Sequence, residues 1–160
     1  MIENAPAIRT GGCQCGALRY RIEGALGKAG ICHCRMCQKA FGNFGAALVS
    51  VAAERFNWTR GTPGLFRSSA IVSRGFCPAC GTPLFMREDG DSNIEIAVGS
   101  LDDPNAIAAM TGQSGSESKL LWFDAMRDLP PETTAESHTP EDLKNLKSFQ
   151  HPDHDTEKWP

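Results

Sequence analysis

Seven cysteines fall into three short clusters, and their spacing constrains the fold more than any other feature of this chain. The clusters are Cys13-Gln14-Cys15, Cys32-His33-Cys34-Arg35-Met36-Cys37 and Cys77-Pro78-Ala79-Cys80. An odd number of cysteines cannot all pair as disulfides within one chain, and residues 1–10 hold no apolar stretch of the kind found in export signals. Clustered thiols in a reducing compartment more often hold a metal ion. We therefore expect a cytoplasmic metal-binding protein.

The composition argues against two classes of partner. The chain has 160 residues and a formal net charge of −3, which is the wrong sign for a general nucleic-acid binder. No apolar run approaches the roughly 20 residues needed to span a bilayer. We therefore expect neither nucleic acid nor membrane as a partner.

Charge divides the chain into two regions. Residues 1–128 hold 13 basic and 12 acidic side chains, whereas residues 129–160 hold 3 basic and 7 acidic ones. This predicts a folded zinc-binding domain at 1–128 and an acidic, polar C-terminal extension at 129–160. Within the extension, Thr139-Pro140-Glu141-Asp142 has the pattern of a helix start. A short helix that docks on the domain and a disordered tail both remain open.

The hydrophobic pattern of the domain is mainly that of β-strands. Leu18, Tyr20 and Ile22 alternate with Arg19 and Arg21, as in a half-buried strand. Gly and Pro punctuate the chain between apolar segments, which is typical of turns. Further strands are predicted at 45–51, 71–76, 83–87, 94–98 and 120–123, with short helical pieces at 35–41 and after Pro104. The fold class is therefore mainly β with small helical pieces.

The Cys77-x-x-Cys80 pair is the strongest metal signal. Such a turn directs two thiolates at one point, and Gly81 supplies the backbone freedom that the turn needs. Cys13 and Cys15 would complete a closed four-thiolate zinc site, which stabilises a fold and leaves no position for catalysis. The spacing also permits another partition, in which Cys13 and Cys15 join the first two cysteines of the middle cluster.

The middle cluster has the pattern of a catalytic site. Cys32, Cys34 and Cys37 offer three thiolates, and three protein ligands with an open fourth position are typical of catalytic zinc. His33 could instead close the site, although its position between two ligands favours a side chain that points away. The tail patch at 151–155 contains two histidines and two aspartates, which could bind a metal weakly but are more often solvated.

The sequence around the cysteines resembles a known family. The relevant motifs are Gly12-Cys13-Gln14-Cys15-Gly16-Ala17-Leu18-Arg19-Tyr20, Cys32-His33-Cys34-Arg35-Met36-Cys37-Gln38-Lys39, Arg74-Gly75-Phe76-Cys77-Pro78-Ala79-Cys80-Gly81-Thr82-Pro83-Leu84-Phe85 and Val98-Gly99-Ser100-Leu101-Asp102. In this order they resemble the glutathione-dependent formaldehyde-activating enzyme family, whose members include centromere protein V-like proteins. One departure is the segment 111–116, which lacks a histidine that many members place before the last strand.

The resemblance implies a fold, a metal partition and an activity. The fold would be a β-tent of small antiparallel sheets around zinc. Cys13, Cys15, Cys77 and Cys80 would form the structural site, and Cys32, Cys34 and Cys37 would form the catalytic zinc site. The implied activity is that of a carbon–sulfur lyase, which interconverts glutathione and formaldehyde with S-hydroxymethylglutathione. The ligand would then be a small-molecule thiol or its adduct with an aldehyde.

Three cations near the clusters, Arg35, Lys39 and Arg74, could bind the carboxylates of a glutathione-like ligand, although an ordinary surface charge is the more common role for each of them. Gln38 follows a cysteine and could hydrogen-bond the metal thiolates or the ligand, or equally be exposed to solvent. Two other functions remain open from the sequence. A zinc-stapled binding module would need no catalytic site, and a redox sensor would use the middle cluster as oxidisable thiols.

Overall fold

The computed structural model describes residues 7–159. Within this range the chain forms ten strands and three short α-helices, joined by turns and 3₁₀ segments. None of these helices has the length and hydropathy of a membrane span. The strands are β1 (Ile8–Gly12), β2 (Arg19–Glu23), β3 (Ala29–Cys32), β4 (Ala46–Ala52), β5 (Phe56–Arg60), β6 (Gly64–Arg67), β7 (Val72–Phe76), β8 (Pro83–Glu88), β9 (Asn93–Ala97) and β10 (Met110–Ser114); the helices are α1 (Arg35–Phe41), α2 (Thr134–Ser137) and α3 (Pro140–Asn145).

A three-stranded antiparallel sheet forms one wall of the core. Its strand order is β1-β2-β5. Tyr20 and Ile22 of β2 are fully buried, as the alternation predicts. The Tyr20 ring packs on Phe56 and Trp58, with centroid distances of 5.1 and 5.9 Å. Its hydroxyl group is 2.8 Å from that of Ser100, which satisfies the buried oxygen.

A seven-stranded sheet forms the other wall. Its order is β10-β3-β4-β9-β8-β7-β6, and all neighbours are antiparallel except β10 and β3. Val49 and Val51 of β4 lie in the same buried cluster as Tyr20. Since side chains alternate along a strand, Leu48 faces the other way, where it packs with Cys37 of α1. The predicted mainly β fold is confirmed, and the outer face of this sheet carries the three-cysteine cluster.

The prediction of a last strand at 120–123 is wrong. Leu121 is fully exposed, and a 3₁₀ segment, Phe123–Asp128, begins where the strand should end. Phe123 packs on His33 and Phe44, with centroid distances of 4.6 and 5.3 Å, so this apolar residue covers part of the domain without joining a sheet. The last strand is instead β10, whose side chains are all exposed. β10 is held by backbone pairing with β3, which an apolar pattern cannot reveal.

The C-terminal extension returns to the domain. Helix α3 begins where the sequence predicts, with Thr139 and Asp142 forming a reciprocal capping box. Leu143 of this helix and the following Leu146 and Phe149 are all exposed, so neither the helix nor the segment after it docks through an apolar face. His151, in contrast, is only 3% exposed. The extension therefore contacts the domain through its final residues.

Candidate active site

The first candidate metal centre joins two distant turns. Cys13 and Cys15 follow β1, while Cys77 and Cys80 lie in the turn between β7 and β8. All four sulfurs lie within 4.8 Å of one another, with 3.6 Å between Cys13 and Cys15 and 3.8 Å between Cys15 and Cys77. Tetrahedral zinc with Zn–S bonds of about 2.3 Å requires sulfurs about 3.8 Å apart. The donor set therefore fits zinc.

Local hydrogen bonds and backbone conformation position the sulfurs of this centre. The N–H of Leu18 donates to the Cys13 sulfur over 3.2 Å. Gly81 has φ = +79°, the left-handed conformation that closes the Cys77–Cys80 turn at little cost for a glycine. Burial raises the pKa of Cys13 to about 12. Partial burial also opposes ionisation of Cys80, but hydrogen bonds from the Thr82 hydroxyl and N–H outweigh it and lower the Cys80 pKa to about 6. Among Cys13, Cys15 and Cys80, Cys80 is thus the one thiol whose pKa lies below its ordinary value.

The second centre lies on one short stretch of chain. Cys32 ends β3, Cys34 caps α1, and Cys37 lies in the first turn of that helix. The three sulfurs lie within 4.8 Å of one another, and among the described residues no fourth Cys, His, Asp or Glu joins this group. The N–H of Cys37 donates to the Cys34 sulfur over 3.4 Å. These sulfurs could hold a metal ion with one position left open, and the alternative partition of the cysteines does not occur.

His33 points away from the thiols. Its ring is fully buried, and Nε2 lies 3.0 Å from the side-chain oxygen of Gln113 on β10. The ring also packs edge-on against Phe123. The histidine therefore leaves the cluster open, as expected from its place between two cysteines.

The segment without the family histidine forms β10 and borders the second centre. Ser114 pairs with Cys32 across the parallel β10–β3 ladder. Burial opposes ionisation of Cys32, but hydrogen bonds from the Ser114 hydroxyl and the Cys34 N–H outweigh it and lower the Cys32 pKa. A serine hydroxyl therefore supports a thiolate on this side of the site.

Arg74 places a buried cation beside the second centre. Its side chain is only 7% exposed, and Nη2 lies 3.4 Å from the Cys37 sulfur. Nε donates to the Ser68 hydroxyl over 3.1 Å. No carboxylate among the described residues lies within ion-pair distance of Arg74. Burial raises the pKa of Cys37 to about 12, and the guanidinium partly offsets this by favouring the thiolate. An unpaired buried cation stabilises negative charge on sulfur or on a ligand.

The structure gives the other predicted contact residues different positions. Gln38 is buried, and its amide donates to the carbonyl oxygens of His33 over 2.6 Å and Ser118 over 2.8 Å. Arg35 donates to the Gln38 side-chain oxygen. Gln38 is therefore neither solvent-exposed nor free to bind a thiolate, and it anchors the cysteine loop instead. Lys39 is exposed on α1.

Two cavities flank the second centre. The first, of about 400 Å³, is bordered by three cations and by apolar side chains. Its lining residues are Arg35, Met36, Lys39, Ala40, Phe66, Ser68 and Arg74. The second, of about 370 Å³, extends from Cys32 along the sheet to Lys28 and Glu95. The sequence analysis did not select Glu95, which lines this cavity, although an acid between the buried Ile94 and Ile96 indicates that the opposite face of the strand is open to solvent.

The tail patch is used for docking. The backbone N–H of His151 donates to the carbonyl oxygen of Gln14 over 2.8 Å, and its ring contacts the Thr156 hydroxyl at 2.9 Å. Arg19, which is buried, bonds to Asp155 over 2.8 Å. Among the described residues the patch does not form a metal-ligand cluster. It covers the Cys13–Cys15 turn of the first centre instead.

His151→Ala should loosen this cover. Loss of the buried ring and its hydrogen bond is expected to lower the free energy of unfolding by about 1–3 kcal/mol and to speed zinc release to a chelator. The exposed His154 provides the control, since His154→Ala should change stability by less than about 0.5 kcal/mol. Denaturant unfolding and a colorimetric chelator assay measure both effects. Equal stability of the two variants would contradict the docking role.

The same contact predicts a pH dependence. Burial lowers the pKa of His151, and the nearby Arg19 and Arg60 add to this effect. The folded protein therefore disfavours the protonated ring, and the contribution of His151 should be complete above the ordinary histidine pKa of about 6.5. It should shrink as the pH falls below that value. The stability difference between wild type and His151→Ala, measured from pH 7.5 to pH 5, tests the sign.

Comparison with known proteins identifies the family. The profile of the glutathione-dependent formaldehyde-activating enzyme family matches residues 8–113. The chain belongs to this family. Its fold is also similar to the crystal structure of a Rhodobacter sphaeroides protein, with a TM-score of 0.52 and 20% identity. That match covers 63% of this chain and 96% of the Rhodobacter chain. No curated protein matches. All seven cysteines of the two candidate metal centres lie within residues 8–113.

Proposed function

We propose that the chain is a zinc-dependent carbon–sulfur lyase. Its substrate would be the adduct of a thiol, glutathione or a related one, with formaldehyde or another small aldehyde. The observation that carries this proposal is the group of three cysteine sulfurs without a fourth donor, placed beside the buried cation of Arg74. Family membership supports the same reaction class. The four-cysteine centre would hold a structural zinc ion.

The reaction needs no oxidant or reductant. In cleavage, the carbon–sulfur bond of the S-hydroxymethyl adduct breaks, the carbon–oxygen bond becomes a carbonyl, and the hydroxyl proton is transferred to sulfur. Zinc bound at the three cysteines would supply a Lewis acid that favours the thiolate form of the departing sulfur or polarises the oxygen. Cys32, Cys34 and Cys37 would hold that zinc ion. Arg74 would stabilise the negative charge that accumulates there.

The first cavity provides binding groups for the rest of the ligand. Arg35, Lys39 and Arg74 border it, and Phe66 and Met36 give it apolar walls. Glutathione carries two carboxylates, and cations in a partly apolar cavity are suited to bind one of them. Gln38 would act indirectly, because its amide fixes the loop that carries the cysteines.

Exchange NMR with ¹³C-formaldehyde and glutathione tests the activity. Substoichiometric zinc-loaded protein should accelerate the interconversion of free formaldehyde and S-hydroxymethylglutathione on the order of tenfold or more above the uncatalysed rate. Elemental analysis should find two zinc ions per chain, one of them perturbed by glutathione. A single zinc ion that ignores glutathione, with no acceleration, would contradict the proposal and favour a binding or redox role.

A further inference from the structure

A groove on the outer face of the seven-stranded sheet leads away from the three-cysteine centre. It is the second cavity described above, with Cys32 at one end and Lys28 and Glu95 at the other. Lys28 lies four residues before Cys32, which is about 13 Å along an extended strand. Leu48 lines the groove between its two ends, and Met86 lies beside Glu95 on the neighbouring strand β8. The groove is thus largely apolar in the middle and charged at its far end.

Strand pairing brings the two charges to the same level of the sheet. The N–H of Ser50 donates to the Lys28 carbonyl oxygen over 2.9 Å, and Ser50 pairs with Glu95 across β4 and β9. The three residues therefore lie side by side on neighbouring strands. Lys28 and Glu95 both line the groove, yet they do not form an ion pair with each other. The far end offers one separate cation and one separate anion.

The carboxylate of Glu95 is suited to bind a cation. It is half-buried, and no Lys, Arg or His of the described residues lies within ion-pair distance of its carboxylate. Burial raises its pKa, and Asp91 adds to this effect, while a hydrogen bond with Ser50 opposes it. A carboxylate in a mostly apolar groove gains more from a bound ammonium group than one in open water.

We propose that the far end of this groove binds the α-amino-acid zwitterion of a thiol whose sulfur lies at the three-cysteine centre. Glu95 receives the ammonium group and Lys28 receives the carboxylate. The assignment rests on the proposed function, which names a thiol adduct as the ligand, and it restricts the substrate class. The two cavities then divide the ligand, with the zwitterion on the Glu95 side and any second carboxylate on the Arg74 side.

The length of the groove distinguishes between thiol ligands of different size. In the γ-glutamyl end of glutathione, sulfur and ammonium are separated by roughly eight covalent bonds, or about 10 Å when extended. Glu95 lies two strands across from β3 as well as about 13 Å along it, which is a backbone separation of about 16 Å from Cys32. The reach of about 4 Å of the Glu95 side chain and the spacing of about 4 Å between sulfurs on one zinc ion leave a span of about 8–10 Å. Free cysteine holds its ammonium group about 4 Å from sulfur and cannot reach both ends at once. The groove therefore favours γ-glutamyl thiols over cysteine.

A ligand pair and a variant pair test the assignment. Isothermal titration calorimetry of the zinc-loaded full chain compares glutathione with glutaryl-cysteinylglycine, which keeps the carboxylate and lacks only the ammonium group. Wild type should bind glutathione about 5- to 30-fold more tightly. Glu95→Gln should remove most of that preference without changing affinity for the glutaryl ligand. The exposed Glu88 on β8 gives the control, because Glu88→Gln should leave both affinities unchanged.

The two affinities and the exchange rate together test the zwitterion site and the lyase proposal separately. Equal affinity of wild type for the two ligands, or an equal effect of Glu95→Gln on both, would overturn the zwitterion site. The comparison within wild type does not depend on how any variant folds. Exchange NMR on the same samples separates the two proposals. If the protein accelerates exchange but binds the two ligands equally, the zwitterion site is contradicted and the lyase proposal stands. If it prefers glutathione but does not accelerate exchange, the lyase proposal is contradicted and the zwitterion site stands. Absence of binding by both thiols removes both.

Discussion

Cys77→Ser is expected to leave the chain without a stable fold. Cys77 is fully buried in the turn between β7 and β8, and its sulfur contacts that of Cys15, which lies in the turn between β1 and β2 of the three-stranded sheet. Serine is a poor zinc ligand, so the variant would retain three donors around a buried polar group. Structural zinc sites contribute on the order of 10 kcal/mol to folding, which is comparable to the roughly 5–15 kcal/mol stability of a whole domain. Loss of the zinc site therefore removes most of the free energy of unfolding.

Zinc analysis and thermal unfolding measure this effect. The Cys77→Ser protein should show no cooperative transition above about 37 °C, or should accumulate as insoluble chain. The same substitution in the other cluster, Cys34→Ser, is the matched control, since it removes a sulfur without separating the two sheets. A Cys77→Ser protein with wild-type stability and zinc content would contradict the structural role of the first centre.

Cys34→Ser is expected to abolish activity in a folded protein. Cys34 caps α1 by accepting the N–H of Cys37, and serine is among the preferred residues at such a position. The substitution thus preserves the helix start while removing one of three metal donors. Elemental analysis should find one zinc ion per chain in place of two. Exchange of the formaldehyde–glutathione adduct should fall by at least about 100-fold, towards the uncatalysed rate.

Circular dichroism and zinc analysis must accompany the rate measurement. A thermal transition near that of wild type, together with loss of one zinc ion and of activity, would assign catalysis to the second centre. Retained activity would place the chemistry elsewhere. An unfolded Cys34→Ser protein would instead indicate that both centres are structural. That result would contradict the proposal that the first centre is structural and the second is catalytic.

The two centres differ in how they are connected to the fold. The first joins turns that are 62 residues apart in sequence, as the Cys15–Cys77 contact shows, so its metal would cross-link the two sheets. The second uses one stretch of six residues, Cys32 to Cys37, whose path is already fixed by β3, α1 and the Gln38 hydrogen bonds. Loss of metal from the second centre should therefore cost little stability. For this reason, the variants Cys77→Ser and Cys34→Ser should differ strongly in stability.

The sequence by itself determined features that depend on neighbouring residues. The alternation of Tyr20 and Ile22 predicted β2, the segments on either side of Cys77 and Cys80 predicted β7 and β8, and Thr139 predicted the start of α3. These patterns are local, because periodicity, caps and turn chemistry act over a few positions. The cysteine motifs also identified the family and supplied both groups of possible metal ligands.

Only the tertiary structure decided which distant groups meet. Arg74 reaches Cys37 across 37 positions, and the tail's His151 reaches Gln14 across a larger separation. Strand register alone brings Lys28 and Glu95 to one end of a groove, and backbone pairing alone places the polar strand β10 beside Cys32. A composition or spacing rule cannot reach these contacts, because strand order and register are set by the packing of the whole core.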